Sequence, residues 1–86
     1  MKKLIASLPK NARERVQIEL SEYNGYDLLS FRIYADNGAN WVPTRKGITI
    51  RVDVLPDLVA ALMEAETAAR AAGLLAAADE AEMIHE

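Results

Sequence analysis

Trp41, Val42, Pro43, Thr44, Arg45, Lys46, Gly47, Ile48, Thr49, Ile50 and Arg51 bring an aromatic, a rigid residue, a basic pair and a strand pattern together within eleven positions. Proline fixes its own φ and lacks an N–H, so a strand entering at Trp41 is expected to stop or turn at Pro43. Gly47 permits a backbone geometry or a close approach that a side chain would block. Ile48, Thr49, Ile50 and Arg51 then alternate apolar and polar, the period of a half-buried strand. On this reading Arg45 and Lys46 sit on a short, stiff connection between two strands, displayed to solvent.

Upstream, the even positions Val16, Ile18 and Leu20 are apolar and the odd positions Arg15, Gln17, Glu19 and Ser21 polar, which predicts a strand over residues 13–23. Asn24-Gly25 is the pair favoured in a two-residue type I′ hairpin. Residues 26–35 should return antiparallel, with Leu29, Phe31 and Ile33 on one face and Leu28, Ser30, Arg32 and Tyr34 on the other. A second pair, Asn37-Gly38, turns the chain into a short strand at Trp41 and Val42, and Ile48 to Arg51 make the fourth. A single sheet layer with one apolar face must be covered. The next segment is expected to cover it: Asp53 as N-cap, Pro56 in the first turn, then Leu55, Leu58, Val59, Leu62 and Met63 at helical spacing, ending at Gly73. The organisation expected is an arm without fixed structure over 1–12, closed by Pro9; a sheet-plus-helix domain over 13–73; and an acidic, alanine-rich helical extension or tail over 74–86.

With 86 residues, one small α+β domain is expected, too small to be comfortably stable alone, and oligomerisation is the natural remedy. There is no cysteine, hence no disulfide framework or thiolate metal site. Met1, Lys2, Lys3, Leu4 and Ile5 are too short an apolar start for a signal peptide, and no run is long enough to span a bilayer, so a cytoplasmic protein without membrane contact is expected. The net charge of −3 is split by position: residues 1–51 carry nine Lys/Arg against five Asp/Glu, and residues 52–86 one Arg against eight acids. A cationic face acts locally, within about 10 Å at ordinary salt.

No catalytic constellation is visible. His85 is the sole histidine and lies one residue from the end; Asp79, Glu80 and Glu82 read as a charged helix face. No enzyme activity, cofactor or metal is expected. Binding is better supported, because single-stranded nucleic acid is gripped by cations along the phosphates and by aromatics on which bases stack. Arg15, Arg32, Tyr34, Arg45, Lys46 and Arg51 can share one side of the sheet, with Tyr23 at the hairpin end and Trp41 on the next strand. Each has a structural alternative: Tyr23 pairing with Tyr26, Arg32 neutralising Glu19, Trp41 filling a core.

Thr44 to Ile50, with Val16, Ile18, Leu20, Ser21, Glu22, Tyr23, Gly25 and residues 28–34 before it and the helix pattern after it, resembles the positive-cofactor-four family of transcriptional coactivators and its bacterial relatives. The likeness covers roughly residues 13–72. It implies a curved four-stranded antiparallel sheet followed by a long helix, and a homodimer with helices at the interface, here Leu55, Leu58, Val59, Leu62 and Met63. It also implies sequence-tolerant binding of single-stranded DNA, or RNA, through Tyr23, Arg32, Arg45, Lys46 and Gly47, in transcription or the handling of unpaired strands. A protein of the transcription machinery is a further expected partner. The chain departs from the family's lysine-rich members at Asn24, Tyr26 and Val42, and from its tryptophan at Ala35. Fewer neutralised phosphates give a shallower salt dependence. From another class stands a dimeric protein-interaction module whose acidic helices recruit a partner and whose sheet is scaffold.

Overall fold

A computed structural model of the chain describes residues 2–75. These form four antiparallel strands, β1 (Lys2–Asn11), β2 (Glu14–Tyr23), β3 (Tyr26–Asp36) and β4 (Trp41–Arg51), then a 3-10 turn Val52–Val54 and the helix α1 (Leu55–Ala71). The sheet order is β1-β2-β3-β4, a meander with β1 and β4 as its edges. The chain divides into two compact units at the Val52/Asp53 junction, the sheet before it and the helix after it.

Local chemistry accounts for the sheet. Asn24 and Gly25 have φ +52° and +82°, and Tyr23 pairs directly with Tyr26, so the first hairpin is the tight turn its residue pair favours. Register then fixes the faces. Val16, Ile18 and Leu20 oppose Ile33, Phe31 and Leu29. On β4, Ile48 and Ile50 oppose Phe31 and Leu29; on β1, Ala6 and Leu8 oppose Ile18 and Val16. Alternation puts all of these on one apolar face centred on Leu29, 4% exposed and the only buried hydrophobic residue among those described. The second Asn-Gly closes a four-residue loop instead. The Asn37 carboxamide oxygen accepts the N–H groups of Ala39 (2.9 Å) and Asn40 (2.8 Å), and the Asp36 carboxylate accepts that of Gly38 (2.8 Å).

Three expectations are corrected. The N-terminal segment is not an unstructured arm but β1, because Pro9 lies on an edge strand, where a missing N–H disturbs no inner ladder. Its alternation is concealed by irregularities between Leu4 and Ala6 and between Pro9 and Asn11, which turn Leu4 toward the face of Glu19 and Leu8 toward that of Val16. Trp41 and Ile48 belong to one strand, not two. β4 runs through Pro43, again on an edge, and absorbs its extra residues as a bulge between the pairs Arg32↔Gly47 and Tyr34↔Pro43. Asp53 does not cap the helix; Val54 holds that position without a side-chain bond, while Pro56 does fall in the first turn.

The helix ends as expected at Gly73, φ +75°, where the Gly73 N–H donates to the Arg70 carbonyl (3.1 Å) and the Leu74 N–H to that of Ala69 (2.8 Å). No helix residue is buried: Val59, Leu62 and Met63 are 45%, 55% and 64% exposed, and Leu55 and Leu58 are half-buried. Most of the expected extension, including Asp79, Glu80, Glu82 and His85, lies outside the described residues.

The β1–β2 turn is fastened by Glu14, whose carboxylate accepts from Asn11 Nδ2 (2.9 Å) and Lys10 Nζ (3.0 Å). The Asn11 bond, then the Lys10 bond, hold its pKa below the usual carboxylate value. A folded pKa below the unfolded one gives stability that is present above the unfolded pKa and lost as pH falls through the folded value. Urea midpoints of wild type and Glu14→Gln should therefore differ at neutral pH and converge in acid below the folded pKa; a gap that persists there would show that the charge of Glu14 is irrelevant.

Candidate nucleic-acid interface

The face opposite the apolar one carries the odd residues of β2 and β4 and the even residues of β3. By register it holds Arg15, Glu19, Tyr23, Arg32, Tyr34, Trp41, Gly47 and Arg51. Six of the residues expected to bind, those with charged or aromatic side chains, thus share one side. Arg15 opposes Tyr34, which opposes Pro43; Arg32 opposes Gly47; Arg51 opposes Leu28. Tyr23 stands at the hairpin end, 68% exposed, and Trp41 at the loop end of β4, 40% exposed.

Two of the cations already have work within the sheet. Arg15 donates from Nε to Ser7 Oγ (2.7 Å) and from Nη2 to the Ser7 carbonyl (3.1 Å), and its guanidinium carbon lies 5.6 Å from the centroid of the Trp41 ring. It ties β1 to the sheet and holds the indole by a cation–π contact. Arg32 donates from Nη1 to the Thr44 carbonyl (3.0 Å), reaching across β4 at Gly47. The absent Cβ is what admits it: a Cβ on Gly47 would stand 2.5 Å from the Phe31 carbonyl oxygen, 3.0 Å from Arg32 Cα and 3.3 Å from Arg32 Cζ. Of the two roles open to Gly47 in the sequence, close approach is the one realised; no positive φ is involved.

Arg45 and Lys46 are exposed in the bulge, where Thr44, Arg45 and Lys46 together face Ile33. The Thr44 hydroxyl donates to the Ile33 carbonyl (2.8 Å) and accepts the Lys46 N–H (3.1 Å), which braces the basic pair on the backbone. The charge of Lys46 contributes to the lowered pKa of Glu14, an even-numbered β2 residue. Lying in the bulge of the edge strand β4, Lys46 belongs to the rim of the sheet. The candidate interface residues Leu55, Leu58, Val59, Leu62 and Met63 lie in the helical unit, Leu55 and Leu58 half-buried and the others exposed.

Sequence reasoning missed β1's share of this face, Lys2 and Ser7, because bulges and Pro9 mask its period. It assigned Glu19 only as a possible partner of Arg32, a contact the geometry does not make: Glu19 opposes Ser30, and Arg32 opposes Gln17. Among the described residues no cluster of His, Cys, Asp or Glu is arranged to hold a metal ion, and no helix is long and apolar enough to cross a membrane.

A four-stranded antiparallel meander with cations and aromatics on one face, followed by a single helix, defines an α+β protein built around a sheet surface. Residues 10–61 match the family described as Transcriptional Coactivator p15 (PC4). Two crystal forms of BPSL1147, a PC4 homolog from Burkholderia pseudomallei, are similar in structure. The tetragonal form is 33% identical, with a TM-score of 0.67, over 77% of this chain and 98% of that one. The orthorhombic form is 34% identical, also at 0.67, over 74% and 88%. Among curated proteins none matches. The chain belongs to the PC4 family of transcriptional coactivators.

Gly47→Ala should destabilise the sheet by about 1–3 kcal/mol, the usual cost of forcing a methyl into a packed site. The crowding is against backbone, which gives way less readily than a side chain. Urea denaturation measures this directly, and a neutral effect would mean that β4 shifts freely against β3.

Proposed function

We propose that this chain binds single-stranded DNA, or RNA, without strong sequence preference, in transcription or in the handling of unpaired strands in the cytoplasm or nucleoid. The observation that carries the reading is the shared polar face, where Arg15, Arg32, Arg51, Tyr23, Tyr34 and Trp41 stand together beside the braced rim pair Arg45 and Lys46. Membership of a transcriptional coactivator family supports it. The cations divide by role. Arg45 and Lys46 contact phosphates; Arg15 and Arg32, engaged with Ser7 and Thr44, set the shape of the face and present Trp41. Stacking on Trp41 and Tyr23 supplies about 1–3 kcal/mol per base and requires no particular sequence.

The active form is a homodimer joined through the helix stripe of Leu55, Leu58, Val59, Leu62 and Met63. A chain whose described residues bury a single hydrophobic side chain, while Ile48 stands 62% and Met63 64% exposed, has apolar surface suited to a second copy. A protein of the transcription machinery would then meet the acidic side of the helices.

Charge at the rim is tested by salt. The double variant Arg45→Ala, Lys46→Ala should weaken binding to an unstructured oligonucleotide at moderate salt and flatten the slope of log K against log salt by about 1.4, roughly 0.7 per lost phosphate contact on a single strand. Fluorescence anisotropy at several salt concentrations measures both, and an unchanged slope removes the pair from the binding surface. If the wild-type chain binds no oligonucleotide at all, the recruiting module is the better account. Assembly is tested separately: Leu62→Asp should convert the dimer to monomer in light scattering, whereas a dimer that persists would place the interface elsewhere.

A further inference from the structure

Glu19 is the anomaly of the polar face. It lies in the middle of β2, opposite Ser30 on β3 and Leu4 on β1, on the side that carries Arg15, Arg32 and Arg51. Among the described residues its carboxylate makes no hydrogen bond and no ion pair. Arg32, the partner expected for it, is turned to the Thr44 carbonyl, and Arg15 to Ser7. Glu19 shares a shallow depression with Lys2, Glu22, Tyr23, Ser30, Arg32 and Thr49, among others, and this depression is open to solvent.

A carboxylate at that position repels phosphate, so a strand crossing the depression must turn something else toward it. It has acceptor oxygens only and therefore selects a donor edge. Tyr23, in the same depression, offers a ring on which a base can lie. Of the four bases, guanine presents two adjacent donors, N1–H and the N2 amino group, which match both oxygens of one carboxylate. Cytosine and adenine present an amino group beside an acceptor nitrogen. Thymine presents one N–H between two carbonyls, which face the carboxylate unfavourably.

We propose that Glu19 is a specificity-determining residue that reads the Watson–Crick edge of a splayed guanine, with Tyr23 beneath the base. This rests on the single-strand reading above and adds a preference to it: the face tolerates many sequences but ranks guanine first and thymine last at one position per chain.

The test uses the full chain, an all-thymidine oligonucleotide, and the same oligonucleotide with alternate positions replaced by guanine or by cytosine, titrated by anisotropy at one salt concentration. The wild-type chain should bind the guanine-containing strand at least about fivefold more tightly than the all-thymidine strand, the lower end of what a bidentate base contact discriminates, with cytosine between them. Glu19→Gln, which keeps the size but loses the paired acceptors and the charge, should bring that ratio close to one while its thermal unfolding stays that of wild type. Equal wild-type affinities for the guanine and thymidine strands, or an unchanged ratio in Glu19→Gln, overturn the assignment while leaving single-strand binding intact. Absence of binding to every strand overturns the functional reading itself, and the two failures are thereby distinguished.

Discussion

The contact on which the sheet depends is the passage of the Arg32 side chain over Gly47. One missing Cβ lets β4 come close enough to β3 for the Phe31 carbonyl and the Arg32 backbone to sit where a methyl would otherwise be. The guanidinium then reaches the Thr44 carbonyl beyond. That bond pins the near side of the bulge, and the Thr44 hydroxyl pins the far side through Ile33 and the Lys46 N–H. Three residues are thus held against one, and the basic pair is displayed by backbone geometry instead of by a flexible loop. A residue with a side chain at position 47 would disturb the register, the bulge and the cations together.

The polar face is accordingly an assembly in which charge does two jobs. Arg15 and Arg32 are consumed in bonds between strands, and their donors are directed at Ser7 and Thr44. They confer shape and positive potential, while the side chains of Arg45 and Lys46 remain exposed at the rim. The Arg15–Trp41 contact shows how the roles join, because the cation that fastens β1 also holds the indole. An overall acidic protein can present such a face since all of its excess acid follows residue 51.

Much of this was legible in the residues. The alternation of β2 and β3, the tight turn at Asn24-Gly25 and the Gly73 helix end follow from local rules, and the structure obeys them. The residues also suggest four strands, but that count agrees with the structure only because reading residues 1–12 as an arm omits β1 while reading a break at Pro43 divides β4 in two. Pro43 reads as a break only if its strand is internal, and Pro9 likewise; whether a strand lies at an edge is a property of the whole sheet, which no window of sequence contains. The division of labour among the arginines was illegible for the same cause. That Arg15 meets Ser7 depends on a strand whose period is scrambled by two irregularities. The side of the sheet on which the arginines lie follows from parity, but their partners follow from register.

The two prolines and the bulges beside them have a consequence of their own. A sheet with bare outer ladders invites endless lateral growth, each copy templating the next into a fibril. Here both outer strands are spoiled for that purpose: β1 by Pro9, its irregular register and Lys2, Lys3 and Lys10, and β4 by Pro43 and its three-for-one bulge. The sheet thus stays four strands wide, because its two borders refuse further strands.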